Sequence, residues 1–261
     1  MTFLTAVNDS MFRWLIVPVA KIQFQKSFGY SEQAAEGLVL PLGLCLFMLP
    51  FVVIAPWAGW MADRFSKRTS IIWLKIIEIG LMACGVWAIY AANVTAMFVI
   101  LFLIGTQAAL IGTAKFGIIP ELVKRRDISA ANGFSGLTTL IGVITGTIGG
   151  YGLADATIAS RSGGLTMSAI ALLGVAAAGV VGAVLMARVT AASPMLTFPR
   201  NLIIDSWRDI QLVMHDRAIL RVTLGIVFFW ALASLAQMNI DIYVNQELAD
   251  NVGRGAEASG S

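Results

Sequence analysis

Apolar residues in this chain are gathered into long blocks. Residues 37–62, 79–114, 128–154, 162–187 and 222–240 contain no charged side chain. A helix needs about 20 such residues to cross a hydrocarbon core of about 30 Å, so the pattern predicts an all-α, polytopic membrane protein. Seven segments are expected, at residues 4–24, 38–61, 70–90, 96–116, 130–154, 165–188 and 220–243. The block 79–114 is too long for one span, and its polar break at Ala92-Asn93 predicts a tight external turn. Pro41, Pro50 and Pro56 fall in the second segment. Membrane helices tolerate proline because neighbours re-satisfy the freed backbone groups, so kinks are expected there. Residues 4–20 carry Asp9 and Arg13 and no small-residue cleavage site follows; the first segment therefore reads as a retained helix and not a signal peptide.

Composition agrees with the pattern. Hydrophobic residues make up 58% of the 261 positions and charged residues only 13%, with a mean hydropathy of +0.81, whereas about a quarter of an ordinary soluble chain is charged. The net charge of +3 does not point to nucleic acid, because the basic residues sit at block ends. With the N-terminus cytoplasmic, the inner loops hold Arg64, Lys67 and Arg68, then Lys124, Arg125 and Arg126, then Arg188, Arg200, Arg208 and Arg217. The outer side holds little more than Lys26 and Arg161, with Lys21 near a helix end, as the positive-inside rule requires.

Residues 1–190 are expected to form a six-helix bundle and 191–218 a cytoplasmic linker. The linker contains the amphipathic stretch NLIIDSWRDIQLVM and the one histidine, His215, and reads as a helix lying on the inner membrane face. Residues 219–245 would be the first helix of a second bundle, and 246–261 a polar tail. An unpartnered seventh helix after a set of six suggests an incomplete copy of something larger.

Chemistry-bearing residues are few. Asp9 and Arg13 stand four apart on one face of the first helix; charges at membrane depth are costly unless paired or turned to a cavity, so they read either as functional groups or as a packing ion pair. Lys75 and Glu78, three apart, read as a structural pair, and Arg221 and Asp241 flank the seventh segment. Gly142, Gly146 and Gly150 recur every fourth residue, and Gly174, Gly179 and Gly182 follow; small residues at such spacing let helix backbones approach closely. Cys45 and Cys84 lie inside apolar blocks without CxxC spacing and read as core thiols. No nucleophile-base constellation, phosphate-cradling loop or metal-ligand spacing is found, so no catalytic residue, metal or cofactor is assigned.

The loop GWMADRFSKR, between the second and third segments, resembles the signature loop of the major facilitator superfamily. Gly59, Asp63, Arg64, Lys67 and Arg68 fit it, while Phe65-Ser66 stands where that family usually has a glycine. Gly59 is expected to allow close helix approach, and Asp63 to pair with a helix N-terminus or a basic side chain. The stretch AKFGIIPEL followed by ISAANG is similar to a segment of the bacterial lysophospholipid transporter group of that superfamily, including the transporter halves of acyltransferase fusions. The matching positions are Ala114, Lys115, Phe116, Gly117, Pro120, Glu121, Ala131, Asn132 and Gly133, and AVNDSMF matches the group's start with Asn8 and Asp9.

The resemblance implies a twelve-helix carrier, of which this chain would hold the N-terminal bundle and a seventh helix. It also implies movement of lysophospholipid, or another amphiphilic small molecule, across the cytoplasmic membrane by rocking of two bundles. Candidate substrate or coupling residues are Asn8, Asp9, Arg13, Lys115, Glu121, Asn132 and Arg221. Lys115, near the inner end of the fourth segment, suits an anionic headgroup; a merely snorkelling lysine would look the same in sequence. Glu121 is expected to open the cytoplasmic loop beside Lys124, and Asn132 to cap or bridge at the start of the next helix. Two alternatives stay open: a proton-coupled drug exporter with Asp9 as proton carrier, and a non-transporting membrane partner of a phospholipid acyltransferase. The expected partners are the bilayer, the amphiphile and that acyltransferase, and no nucleic acid.

Overall fold

In a computed structural model of the protein, residues 1–187 and 202–229 are described, with Val189, Ser193, Met195, Thr197, Phe198, Ala231, Leu232, Leu235 and Ala236. Only backbone is described at Glu32, Gln33, Glu36, residues 202–206 and Asp209. The described residues form helices and no strand. They are α1 (Thr2–Phe28), α2 (Glu32–Val53), α3 (Ala55–Arg64), α4 (Lys67–Tyr90), α5 (Val94–Gly117), α6 (Ile119–Leu122), α7 (Ile128–Ala159), α8 (Arg161–Val184) and α9 (Leu202–His215), with a single 3-10 turn before α7.

Local chemistry sets the helix ends. Gly29, at φ 71°, closes α1 by donating its N–H to the Gln25 carbonyl, the left-handed cap that glycine adopts without a Cβ penalty. Ser31 and Asn93 cap α2 and α5, accepting from Ala34 N at 3.4 Å and Ala96 N at 3.0 Å. Asn93 and its neighbour Ala92, at φ 53°, make the turn expected between α4 and α5. The second expected segment is two helices bent by 52° at Ile54. Pro56 cannot donate to the carbonyl one turn back and its ring crowds that carbonyl, so the ladder breaks there. Pro41 and Pro50 are carried inside α2.

Residues 1–200 make one compact unit and 201–261 a second. Four helical stretches of the first unit are long and apolar enough to cross a membrane: α4, α5 with its extension α6, α7 with the preceding 3-10 turn, and α8. The bent pair, α2 from Gly37 and α3, counts as a fifth if it is one span. α1 has the length, at 27 residues, but not the apolarity. Its place explains the difference: it packs along α7 and also against α2, α4, α5 and α8, with Phe12 and Leu15 fully buried. A helix wrapped by others meets little lipid and can carry polar groups that face protein.

The outer helices are apolar outward. Ile148 on α7 and Ile170 on α8 are each 70% exposed, which would be anomalous beside water and is ordinary beside acyl chains. Cys45 and Cys84 are exposed on α2 and α4, so the expectation of core thiols is corrected: on these helices the apolar blocks face outward as well as inward.

The glycines of α7 behave as their spacing predicts. A Cβ on Gly142, Gly146 or Gly150 would run into the backbone carbonyls of Phe3, Val7 and Met11 of α1, respectively. Gly179 clears the stem of Lys75 and Gly182 approaches Met1, while Gly174 meets nothing.

In the second unit, α9 matches the amphipathic stretch and His215 is its exposed last residue. Asp216 then accepts from Ala218 N at 2.8 Å and caps a further helical stretch, 217–229. Asp241 and the rest of the expected seventh segment lie outside the described residues.

Candidate functional site

Between Thr5 and Ala20, α1 is buried everywhere except at Asp9, Arg13 and Pro18. Asp9 and Arg13, four apart, share one face, while Pro18, five further on, lies to another side, so the two charges stand together on one less-buried stripe of the central helix. Asp9 and Arg13 are not an ion pair: the described salt bridges join Lys67 to Glu121, Lys75 to Glu78 and Arg126 to Asp127. Asp9 Oδ1 and Arg13 Nε have no hydrogen-bond partner. The Arg13 guanidinium instead lies 5.5 Å from the Trp14 ring centroid and 5.3 Å from that of Phe47 on α2. The packing-lock reading of this pair is thereby corrected.

The neighbouring polar groups form a network around Glu78, in which Asn8 Oδ1 and Gln107 Oε1 stay without a partner. Lys75 Nζ meets Glu78 Oε2 at 2.6 Å, with both side chains fully buried. Glu78 also accepts from Asn8 Nδ2 at 2.5 Å and from Gln107 Nε2 at 2.8 Å. One carboxylate thus ties α4 to α1 and α5. Asn8, expected near substrate, is fully buried in this network and supports the site from behind. Gln107 was not expected as a site residue; its signal was being the one glutamine in the block 79–114. Asp9 lies within electrostatic range of Arg13, Lys75, Glu78 and Lys115.

Lys115 is in the last turn of α5, where its Nζ makes one hydrogen bond, to Thr139 Oγ1 of α7 at 3.4 Å, and sits 5.0 Å from the Phe116 ring centroid. It lines a pocket of about 270 Å³ whose wall is otherwise largely apolar, including Phe3, Ile71, Ile118 and Phe134. Ser135 Oγ, in the same wall, is buried without a partner.

Within the first unit, Glu121 and Asn132 do not join this site. Glu121, in α6, bonds Lys67 at 2.6 Å and not Lys124; the Lys67 stem passes over Gly117, where any Cβ would crowd it. Asn132 is exposed in the second turn of α7 and neither caps nor bridges, because the helix already starts at Ile128. Arg221 is exposed on the stretch 217–229 of the second unit. In the signature loop, Arg68 Nη2 donates to Val184 O at 2.6 Å and Ser66 Oγ to Val189 O at 2.7 Å, stapling the loop to the end of α8. Arg64 lies 5.9 Å from the Trp60 ring centroid and Asp63 is exposed. A Cβ on Gly59 would meet nothing within 4 Å, so close approach is not its role in this unit.

A family profile described as Major Facilitator Superfamily matches residues 2–259. The chain is also similar to curated proteins named lysophospholipid transporter LplT. It is 28% identical to that of Cronobacter sakazakii over 200 residues, which cover 72% of this chain and 47% of the relative. It is 28% identical to that of Serratia proteamaculans over 218 residues, 80% of this chain and 49% of the relative. The match to an Escherichia coli protein of the same name is 28% over 154 residues, 59% and 34%. The chain thus spans about half the length of the first two relatives, 47% and 49%. No solved structure matches it.

Proposed function

Because the chain belongs to the major facilitator superfamily, we propose that it forms the first bundle of a carrier moving lysophospholipid across the cytoplasmic membrane by alternating access. In this reading it works with a second bundle, performs no chemistry on its substrate, and has its N-terminus on the cytoplasmic side. The relatives' printed name supports the substrate class. The observation that carries the reading is Lys115, a cation without a carboxylate partner in an otherwise largely apolar pocket. An amphiphile with an anionic headgroup has complementary chemistry, its phosphate for the ammonium and its chain for Phe3, Ile71 and Ile118.

The test is uptake of labelled lysophospholipid by the full-length carrier, normalised to membrane abundance. Lys115→Met keeps the stem and removes the charge, and should lower uptake by about tenfold or more, the worth of one charge-assisted hydrogen bond. Lys115→Arg should keep part of it, since the charge persists in a different geometry. Wild-type uptake by Lys115→Met would mean the lysine merely snorkels.

Orientation follows from the basic loops. With Cys45 and Cys84 replaced by serine, cysteines at Ala91 and Leu122, both exposed, should label from opposite sides of intact cells. Ala91→Cys should react with an impermeant maleimide outside, and Leu122→Cys only after permeabilisation. Reaction of both in intact cells would overturn the topology.

A further inference from the structure

We propose that Arg13 is a second anion contact of the same carrier, deeper than Lys115, which receives the substrate's phosphate near mid-membrane. The proposal rests on the lysophospholipid reading above and adds a station to it.

Depth is the first argument. Arg13 is eleven residues past the start of α1 at Thr2, or about 16 Å along the helix at 1.5 Å per residue. That is about half of a 30 Å hydrocarbon core. Lys115 lies two residues from the end of α5 at Gly117, and its pocket reaches Met1, Thr2 and Phe3 at the start of α1. The two cations therefore mark two levels, one at the helix ends and one at the centre.

Unmet bonding is the second. A guanidinium carries five N–H donors, yet no described hydrogen bond or salt bridge engages Arg13, and its Nε is buried without an acceptor. Beside it, the buried Trp14 Nε1 also lacks an acceptor. The Trp14 and Phe47 rings lie within cation–π range of the guanidinium, a contact that satisfies none of its N–H donors by a hydrogen bond. An arginine kept only to lock helices would be spent on Asp9, one turn away on the same stripe. It is not.

Charge balance is the third. Lys75 and Glu78 neutralise each other in direct contact, and Asn8 and Gln107 complete the shell of Glu78. This leaves one acid, Asp9, against two cations, Arg13 and Lys115, with none of them in a salt bridge. Among these side chains the excess is a single positive charge, the Met1 α-amino group adding to it at the Lys115 pocket, and a phosphodiester carries a negative one.

The experiment compares uptake of lysophosphatidylglycerol with its uncharged phosphate methyl ester by the full-length carrier in proteoliposomes. Wild type should prefer the charged diester by about tenfold or more, Arg13→Gln should reduce that preference by about tenfold, and Arg13→Lys should retain most of it. A packing role would lower uptake of both lipids alike and leave the preference intact, which overturns the proposal. So does a wild type that shows no preference. A wild type that moves neither lipid refutes the transport reading itself, and this inference with it. If Arg13→Gln does not reach the membrane, phenylglyoxal modification of Arg13 in the wild type decides by peptide mass spectrometry. Slowing by the diester about fivefold more than by the methyl ester supports the contact, in line with a charge-assisted bond partly occupied, and equal modification overturns it.

Discussion

Lys75→Met should be among the most damaging single substitutions in the bundle, costing on the order of 3–5 kcal/mol, the range seen when one partner of a buried ion pair is removed. Methionine matches the lysine stem, which lies against Gly179, so shape is nearly conserved and the loss is electrostatic. Glu78 would be left fully buried with only the Asn8 and Gln107 amides on its carboxylate. The expected readout is a sharply lowered membrane abundance and melting temperature in detergent. Lys75→Met/Glu78→Gln should recover much of both, because a neutral amide oxygen can still accept from Asn8 or Gln107 while no unpaired charge remains. If the double variant is as impaired as the single one, the unpaired charge is not the cause and the network acts through packing alone.

Much of the fold was legible because bilayer thickness turns hydropathy into helix length. The turn at Ala92-Asn93, the start of α5 and the contacts of the α7 glycines all follow from local chemistry that a sequence displays. The place of the bend was less visible for a physical reason. A bend needs a count of which carbonyl loses its donor, and three prolines in one segment offered several places, of which Ile54, just before Pro56, is the one used. α1 was expected as a segment, and its lower apolarity has its reason in packing, since it is surrounded by protein.

The site was less legible than the fold, because its bonds join residues far apart in sequence. Asn8 and Glu78 are 70 positions apart, and Gln107 and Glu78 are 29. Intrahelical spacing suggested that Asp9 would pair with Arg13. Packing instead places Trp14 and Phe47 beside the guanidinium, and no intrahelical rule reports the side chain of another helix. Glu121 of α6 shows the same effect: its neighbour in sequence is Lys124, but α6 turns it toward Lys67 of the signature loop, which Gly117 gives room to arrive. Lys115 could be singled out from sequence as a candidate because its isolation is itself a sequence property, one cation closing a charge-free block.

The second large effect is expected where α1 and α7 touch. At Gly146 a Cβ would overlap the carbonyl of Val7 and crowd the Cβ of Ser10. Neither atom belongs to a flexible side-chain end, so Gly146→Ala can be accommodated only by moving one helix. Overpacking of this kind costs about 1–3 kcal/mol and occasionally more, and here it would also shift the stripe that carries Asp9 and Arg13. Abundance and melting temperature should fall in Gly146→Ala, and further in Gly146→Val. The same helix supplies the control, because a Cβ on Gly136 or Gly152 meets nothing within 4 Å. Gly136→Ala and Gly152→Ala should be neutral or slightly stabilising, alanine being the better helix former by about 1 kcal/mol. Equal behaviour of all three alanine variants would mean that α7 does not approach α1 through its glycine stripe, and the placement of the site against α7 would fall with it.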